Sequence, residues 1–116
     1  MATTTTGRPA ARITREVTAW PGVTAADGSR GELSFRVGGR EIGHLHGDRV
    51  AHFAFPTAEW RRLFDAGRID HHPVTPGRPG WAQRRIASEA DVDDVIALMR
   101  RNYERALVRG LAGGEK

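Results

Sequence analysis

The sequence predicts an α+β fold: an antiparallel sheet of about five to six strands, with N- and C-terminal helices packed on its apolar face. Three observations carry that expectation. Between Glu32 and Pro56, three short strand-like runs are joined by the turn pairs Gly38-Gly39 and Gly47-Asp48; such pairs suit two-residue hairpins because glycine tolerates the positive φ of primed turns. Near the end, Val92, Val95, Ile96, Met99, Tyr103 and Leu107 recur at helical spacing. The overall order is helix, hairpin-connected strands, helix, strands, helix.

Taken in order, residues 1–9 are polar and of low complexity, a tail expected to be disordered. One folded unit is expected over residues 10–110. Ile13, Val17 and Trp20 mark one face of a first helix, which Pro21-Gly22 ends. Val23 to Ala26 forms an edge-like strand before the Asp27-Gly28 turn, and the three-stranded meander follows. Pro56 opens a second helix, where its missing amide has no helical acceptor to lose. Trp60, Leu63 and Phe64 form the apolar face of that helix and Gly67 its stop. Ile69 to Val74 reads as a strand, Thr75 to Gly80 as a loop rich in turn residues, and Trp81 to Ile86 as another strand. Ser88 and Asp91 make a start resembling a capping box for the last helix. Acids in its first turns and arginines in its later ones complement the helix dipole. Gly110 is expected to close it, leaving 111–116 as a frayed end.

The two turns set a register. With Gly38-Gly39 as a two-residue loop, Val37 faces Arg40, Phe35 faces Ile42 and Leu33 faces His44. Leu33, Phe35, Val37, Ile42, His44 and His46 then share one face. The second turn sets His46 against Arg49 and adds Ala51, Phe53 and Phe55 to that face. Arg36 opposes Glu41 on the other side as a cross-strand ion pair, and His52 also lies there. Two imidazoles on an apolar face are the feature to which a function would attach.

Composition narrows the classes. Charged residues make up 28% and hydrophobic ones 39%, the balance of a globular domain. With no cysteine, there is no disulfide framework, zinc-thiolate site or thiol nucleophile. No apolar run is long enough to span a membrane, and the N-terminus lacks a secretory h-region, so a cytoplasmic protein is expected. The pI of 10.9 accompanies a formal charge of only +4. The arginines are dispersed with acids nearby, so a solvated mixed-charge surface is favoured over a phosphate-binding one. No G-x-S-x-G, phosphate-cradling loop or Rossmann fingerprint occurs.

Trp20 to Val23, Gly43 to His46, Phe55-Pro56, Gly67-Arg68, His71-His72, Gly80-Trp81 and the ending through Tyr103 occur in an order that resembles the luciferase-family small bacterial proteins, a domain of unknown function related to fungal luciferase. The similarity covers roughly residues 12–109. Where that family commonly has a Pro-Asp-Ser-Gly-Trp-like loop, this chain has Pro76 to Trp81. The resemblance implies an oxidoreductase acting with molecular oxygen, since fungal luciferase oxidises a hydroxypyrone without metal or flavin. A weaker similarity is to the MmcQ/YjbR group, whose frataxin-like α+β fold has been linked to DNA binding.

The expected catalytic residues are His44, His46 and His72, one imidazole acting as general base toward an acidic hydroxyl while its partner holds the anion. His71 and His72 are adjacent, so a strand sends them to opposite faces, and His72 is preferred for the site. Trp81, Phe53, Arg49 and His71 are the expected substrate-binding residues, Trp81 as a wall on which a flat ligand stacks. A metal would draw on His44, His46 and His72 with Asp70 or Glu41. The register puts Glu41 on the wrong face, and no strong ligand spacing is present, so no metal and no cofactor are expected. The partner is therefore a small aromatic or enol-like compound, with nucleic acid disfavoured, no membrane and no oligomeric state specified. The alternatives are a YjbR-type nucleic-acid-binding module and a non-catalytic interaction domain.

Overall fold

The computed structural model describes residues 8–73 and 80–113. Most of the expected tail, and the Thr75–Gly80 loop except for Gly80, lie outside the described residues. Helix α1 (Pro9–Thr18) carries proline in its first turn and buries Ile13 and Val17. Strands β1 (Val23–Asp27), β2 (Leu33–Val37), β3 (Arg40–His46) and β4 (Val50–Ala54) form a meander. Helix α2 (Thr57–Asp65), strand β5 (Asp70–His71), strand β6 (Trp81–Arg85) and helix α3 (Glu89–Gly113) complete the chain. The six strands make one sheet in the order β1-β2-β3-β4-β6-β5, antiparallel at every junction. This is the expected α+β class.

α1 and α3 cover one face of the sheet, because alternate strand residues supply an apolar surface there. Phe35, Val37, Ile42, Leu45, Ala51, Phe53 and Ala82 from the strands bury against Ile13, Val17, Val92, Val95, Leu98 and Met99 from the helices. Polar bonds fix the docking. Tyr103 donates its hydroxyl to the Pro21 carbonyl at 2.7 Å. The Ala10 amide at the start of α1 donates to Asp48 Oδ1 at 2.9 Å, so a carboxylate from the β3–β4 turn serves the helix end that Arg8 leaves uncapped. Among the described residues no helix is long and apolar enough to cross a membrane.

The register departs from expectation in two places. Arg36 does oppose Glu41, but Phe35 opposes Gly43 and Ser34 opposes His44. Ile42 and Gly43 together face the single residue Phe35, a β-bulge. Beyond a bulge the alternation of faces shifts by one, so His44 and His46 leave the helix-covered face and Leu45 takes their place in the core. The second turn is also longer than expected: His46 pairs with Val50, which makes Gly47-Asp48-Arg49 a three-residue loop. The two shifts cancel in β4, where Ala51 and Phe53 are buried toward the helices as the pattern predicts.

The space at the bulge accounts for its glycine. A Cβ on Gly43 would lie 2.5 Å from Met99 Sδ and 3.0 Å from two ring carbons of Phe53, inside any normal contact distance. Ile42, which pairs with neither neighbouring strand, has its carbonyl served from α3: Asn102 Nδ2 donates to the Ile42 and Ala54 carbonyls, each at 3.1 Å.

Two boundaries also differ. Of the strand expected over Ile69–Val74, the described residues form only Asp70–His71, since Pro73 has no amide to offer a ladder; Val74 lies outside the described residues. The last helix runs through Gly110 to Gly113; a glycine stops a helix when it turns left-handed, and Gly110 has no positive φ. The Ser88 hydroxyl accepts the Asp91 amide at 3.2 Å as an N-cap should, while the Asp91 carboxylate takes the Ala87 amide at 2.8 Å instead of returning to Ser88.

Candidate functional site

On the sheet face away from α1 and α3, the pairings Ala26–Ser34, Ser34–His44, His44–His52, His52–Gln83 and Gln83–Asp70 form one continuous cross-strand row. Neighbours in such a row have Cβ atoms about 5 Å apart, close enough for polar side chains to bond directly. Ser34 Oγ donates to Glu41 Oε2 at 2.8 Å, and His44 Nδ1 meets the same carboxylate oxygen at 2.9 Å. His44 Nε2 lies 3.3 Å from His52 Nδ1, and His52 Nε2 lies 3.0 Å from Gln83 Oε1.

The ends of this chain set the tautomers. A carboxylate and an amide oxygen only accept, so His44 carries hydrogen on Nδ1 and His52 carries it on Nε2. In the neutral rings the two inward nitrogens, His44 Nε2 and His52 Nδ1, then present lone pairs to each other. That contact is satisfied when a positively charged species sits between them.

Two further imidazoles complete the cluster. The His46 ring lies 5.0 Å from that of His44 and 4.7 Å from that of His52. The His72 ring lies 4.3 Å from that of His52 and 5.9 Å from that of Trp81. The donor atoms of His44, His46 and His52 all lie within 4.8 Å of one another. The rings line a hollow of about 480 Å³ whose rim includes Ser29, Arg30 and Glu32 from the β1–β2 turn and Trp81 from β6.

The electrostatics follow from burial and crowding. His52 is 7% exposed, and burial pushes its pKa down to about 4, with the electrostatic effect of His72, His44 and His46 adding to the fall and the Gln83 bond opposing it. Burial lowers His72 as well, again reinforced by His44 and His46. The bond from His44, followed by that from Ser34, holds the Glu41 carboxyl below its usual range against the cost of its partial burial. Glu41 is therefore a carboxylate at neutral pH, with its charge aimed at His44.

The structure brings His44, His46 and His72 together, but on the sheet face opposite to the one the two-residue turns predict. Trp81 stands at the edge of the hollow with 42% of its surface exposed. Phe53 is in the core on the other side of the sheet, its ring 5.6 Å from that of Phe55, because the turn and the bulge leave its facing unchanged. Arg49 lies in the β3–β4 turn, where its carbonyl accepts the Ile86 amide at 2.8 Å, and it does not line the hollow. His71 points to the side of α2, its ring 5.5 Å from Trp60 and 4.7 Å from Phe64.

Sequence reasoning set His52 and Glu41 aside as facing away from His44 and His46, and missed Ser34 and Gln83 beside them. One signal for them was present, since an isolated glycine inside a strand pattern marks a bulge or a close backbone approach, and Gly43 is both. The arginines tell a separate story. Arg12, Arg68, Arg84, Arg100, Arg101 and Arg105 are all engaged with carboxylates, leaving those cations neutralised within the fold.

The luciferase domain family model matches residues 39–102, a span that holds the bulge, the clustered histidines, Trp81 and Asn102. No curated protein and no solved structure matches the chain. The match takes in more than half of the sequence, and the chain belongs to the luciferase domain family.

Proposed function

We propose that the hollow binds a small planar compound bearing an acidic hydroxyl, an enol or a phenol, and holds it as the oxyanion in readiness for reaction with molecular oxygen. The observation that carries this is the Glu41–His44 pair. A carboxylate on Nδ1 fixes the orientation and tautomer of the ring, which leaves the His44 Nε2 lone pair, beside His52 Nδ1 at 3.3 Å, as the base that takes the ligand's proton; the N–H so formed is then shared between His52 and the anion. His46 and His72, whose rings lie 4.7 and 4.3 Å from that of His52, also line the hollow. The exposed ring of Trp81 offers a flat surface for stacking. A hollow of about 480 Å³ is of the size that small-molecule sites have. An electron-rich enolate is the form in which such a compound reacts with oxygen, the reaction class that the family resemblance implies.

The test uses the full chain with a hydroxypyrone as probe, binding being read by quenching of tryptophan fluorescence in an anaerobic cell. His44→Ala removes a charge-assisted hydrogen bond worth about 1.5–3 kcal/mol, so binding weakens roughly 10–150-fold. Equal affinity in wild type, His44→Ala and Trp81→Ala removes the hollow as the binding site. Admitting air then tests turnover: oxygen uptake must depend on protein and fall with His44→Ala, and uptake that ignores the protein ends the oxygenase step.

A further inference from the structure

We propose that His44, His46 and His52 together bind a divalent first-row transition ion, with its open coordination position facing the hollow. Four features support the site. The facing nitrogens of His44 and His52 are 3.3 Å apart, the separation of about 3.3 Å that two ligands of a tetrahedral ion have when metal–nitrogen bonds are about 2.0–2.1 Å. Both nitrogens present lone pairs, since the outer nitrogen of each ring is committed to an acceptor. The third donor, from the half-buried His46, belongs to the same group of ligand atoms, all within 4.8 Å of one another.

The surroundings of the ligands are the fourth feature. A metal-bound imidazole characteristically donates its other N–H to a carboxylate or carbonyl, which fixes its tautomer and raises its basicity. Glu41 does this for His44 at 2.9 Å, and Gln83 Oε1 does it for His52 at 3.0 Å. Ser34 in turn orients the Glu41 carboxylate at 2.8 Å. Three neutral imidazoles without thiolate suit zinc, iron, cobalt, nickel or copper over magnesium or calcium. Three protein ligands leave a further position for water or an exogenous oxygen ligand, and the side left open is lined by His72 and Trp81.

With the ion bound, the His44 Nε2 lone pair is committed to it, so the ion and not the free ring would hold the oxyanion of the enol reading. Metal binding is measured with no organic compound present, so its failure is distinguishable from the failure of that reading. The full chain, stripped with a chelator, is titrated with Zn²⁺ by calorimetry and with Co²⁺ by visible absorption. The expected result is one ion per chain, a ligand-field spectrum of low coordination number, and imidazole nitrogen shifts at His44, His46 and His52 in NMR. Glu41→Gln and Gln83→Leu keep all three ligands and lower the affinity about 10–100-fold. His52→Ala lowers it further, with circular dichroism to check folding. Binding that is unaffected by Glu41→Gln and Gln83→Leu would mark ordinary surface chelation and overturn the proposal. So would a proton shared by His44 and His52 that excess Zn²⁺ does not displace.

Discussion

Asn102→Ala is the most informative single perturbation, because it acts on the sheet from the face opposite to the histidines. Asn102 is 5% exposed and spends both amide hydrogens on carbonyls 3.1 Å away, those of Ile42 and Ala54. Ile42, the extra residue of the bulge, pairs with neither neighbouring strand, and its buried carbonyl left without a donor costs about 1–3 kcal/mol. Ala54 lies at an exposed position, where water replaces the lost donor, so that bond contributes only about 0.5–1.5 kcal/mol. A loss of about 2–3 kcal/mol follows, which for a domain of this size lowers Tm by roughly 10 °C. Asn102→Asp keeps the size but puts oxygen against both carbonyls, and is expected to be at least as damaging. Thermal unfolding by circular dichroism measures both variants. A second readout tests the link to the site: NMR of the imidazole nitrogens should show the His44–His52 contact loosened in the folded variant, because the bulge that aims His44 is no longer held. An unchanged Tm in Asn102→Ala, or a stable Asn102→Asp, would refute the account of the bulge.

Further outcomes follow from the same contacts. Gly43→Ala inserts a methyl group 2.5 Å from Met99 Sδ, and overpacking of this kind costs about 1–3 kcal/mol; denaturant unfolding reads the loss, and a variant as stable as wild type would mean that α3 does not press on the bulge. Trp60→Phe deletes the donor that holds the Trp81 carbonyl at 2.8 Å, and should cost about 1 kcal/mol while increasing the mobility of Trp81 in fluorescence anisotropy. The Asp91 carboxyl is held below its ordinary value of 3.8, first by the Ala87 amide and then by Arg84. A depressed folded-state value means that the stabilisation is present above about pH 4 and is lost as pH falls through the folded value. Asp91→Asn should therefore reduce stability at neutral pH and flatten the acid limb of a Tm-against-pH curve, and an acid limb of undiminished slope would count against it.

The local signals in this chain read correctly wherever a short stretch decides its own structure. Helical spacing in Val92 to Leu107 gives α3, the glycine pair at 38–39 gives the first hairpin, and the order of elements gives an antiparallel sheet with helices on one side. These depend on dihedral preference and on a 3.6- or 2-residue period, both of which neighbouring residues determine. The helix face itself hides one exception: Asn102 sits among apolar neighbours, and its reason lies 60 residues earlier at Ile42.

The facing of the histidines belongs to the tertiary structure. Alternation carries from one strand to the next only while each residue has a single partner, and one extra residue at Ile42-Gly43 reverses it for His44 and His46. Whether a glycine in a strand is bulged depends on what approaches it, and here that is Met99 and Asn102 from a helix formed by the end of the chain. A third residue in the next turn reverses the alternation again, so β4 looks the same with both shifts as with neither. Only the assembled sheet therefore reveals that His52 stands beside His44, and that Glu41, Gln83 and Ser34 orient the two rings.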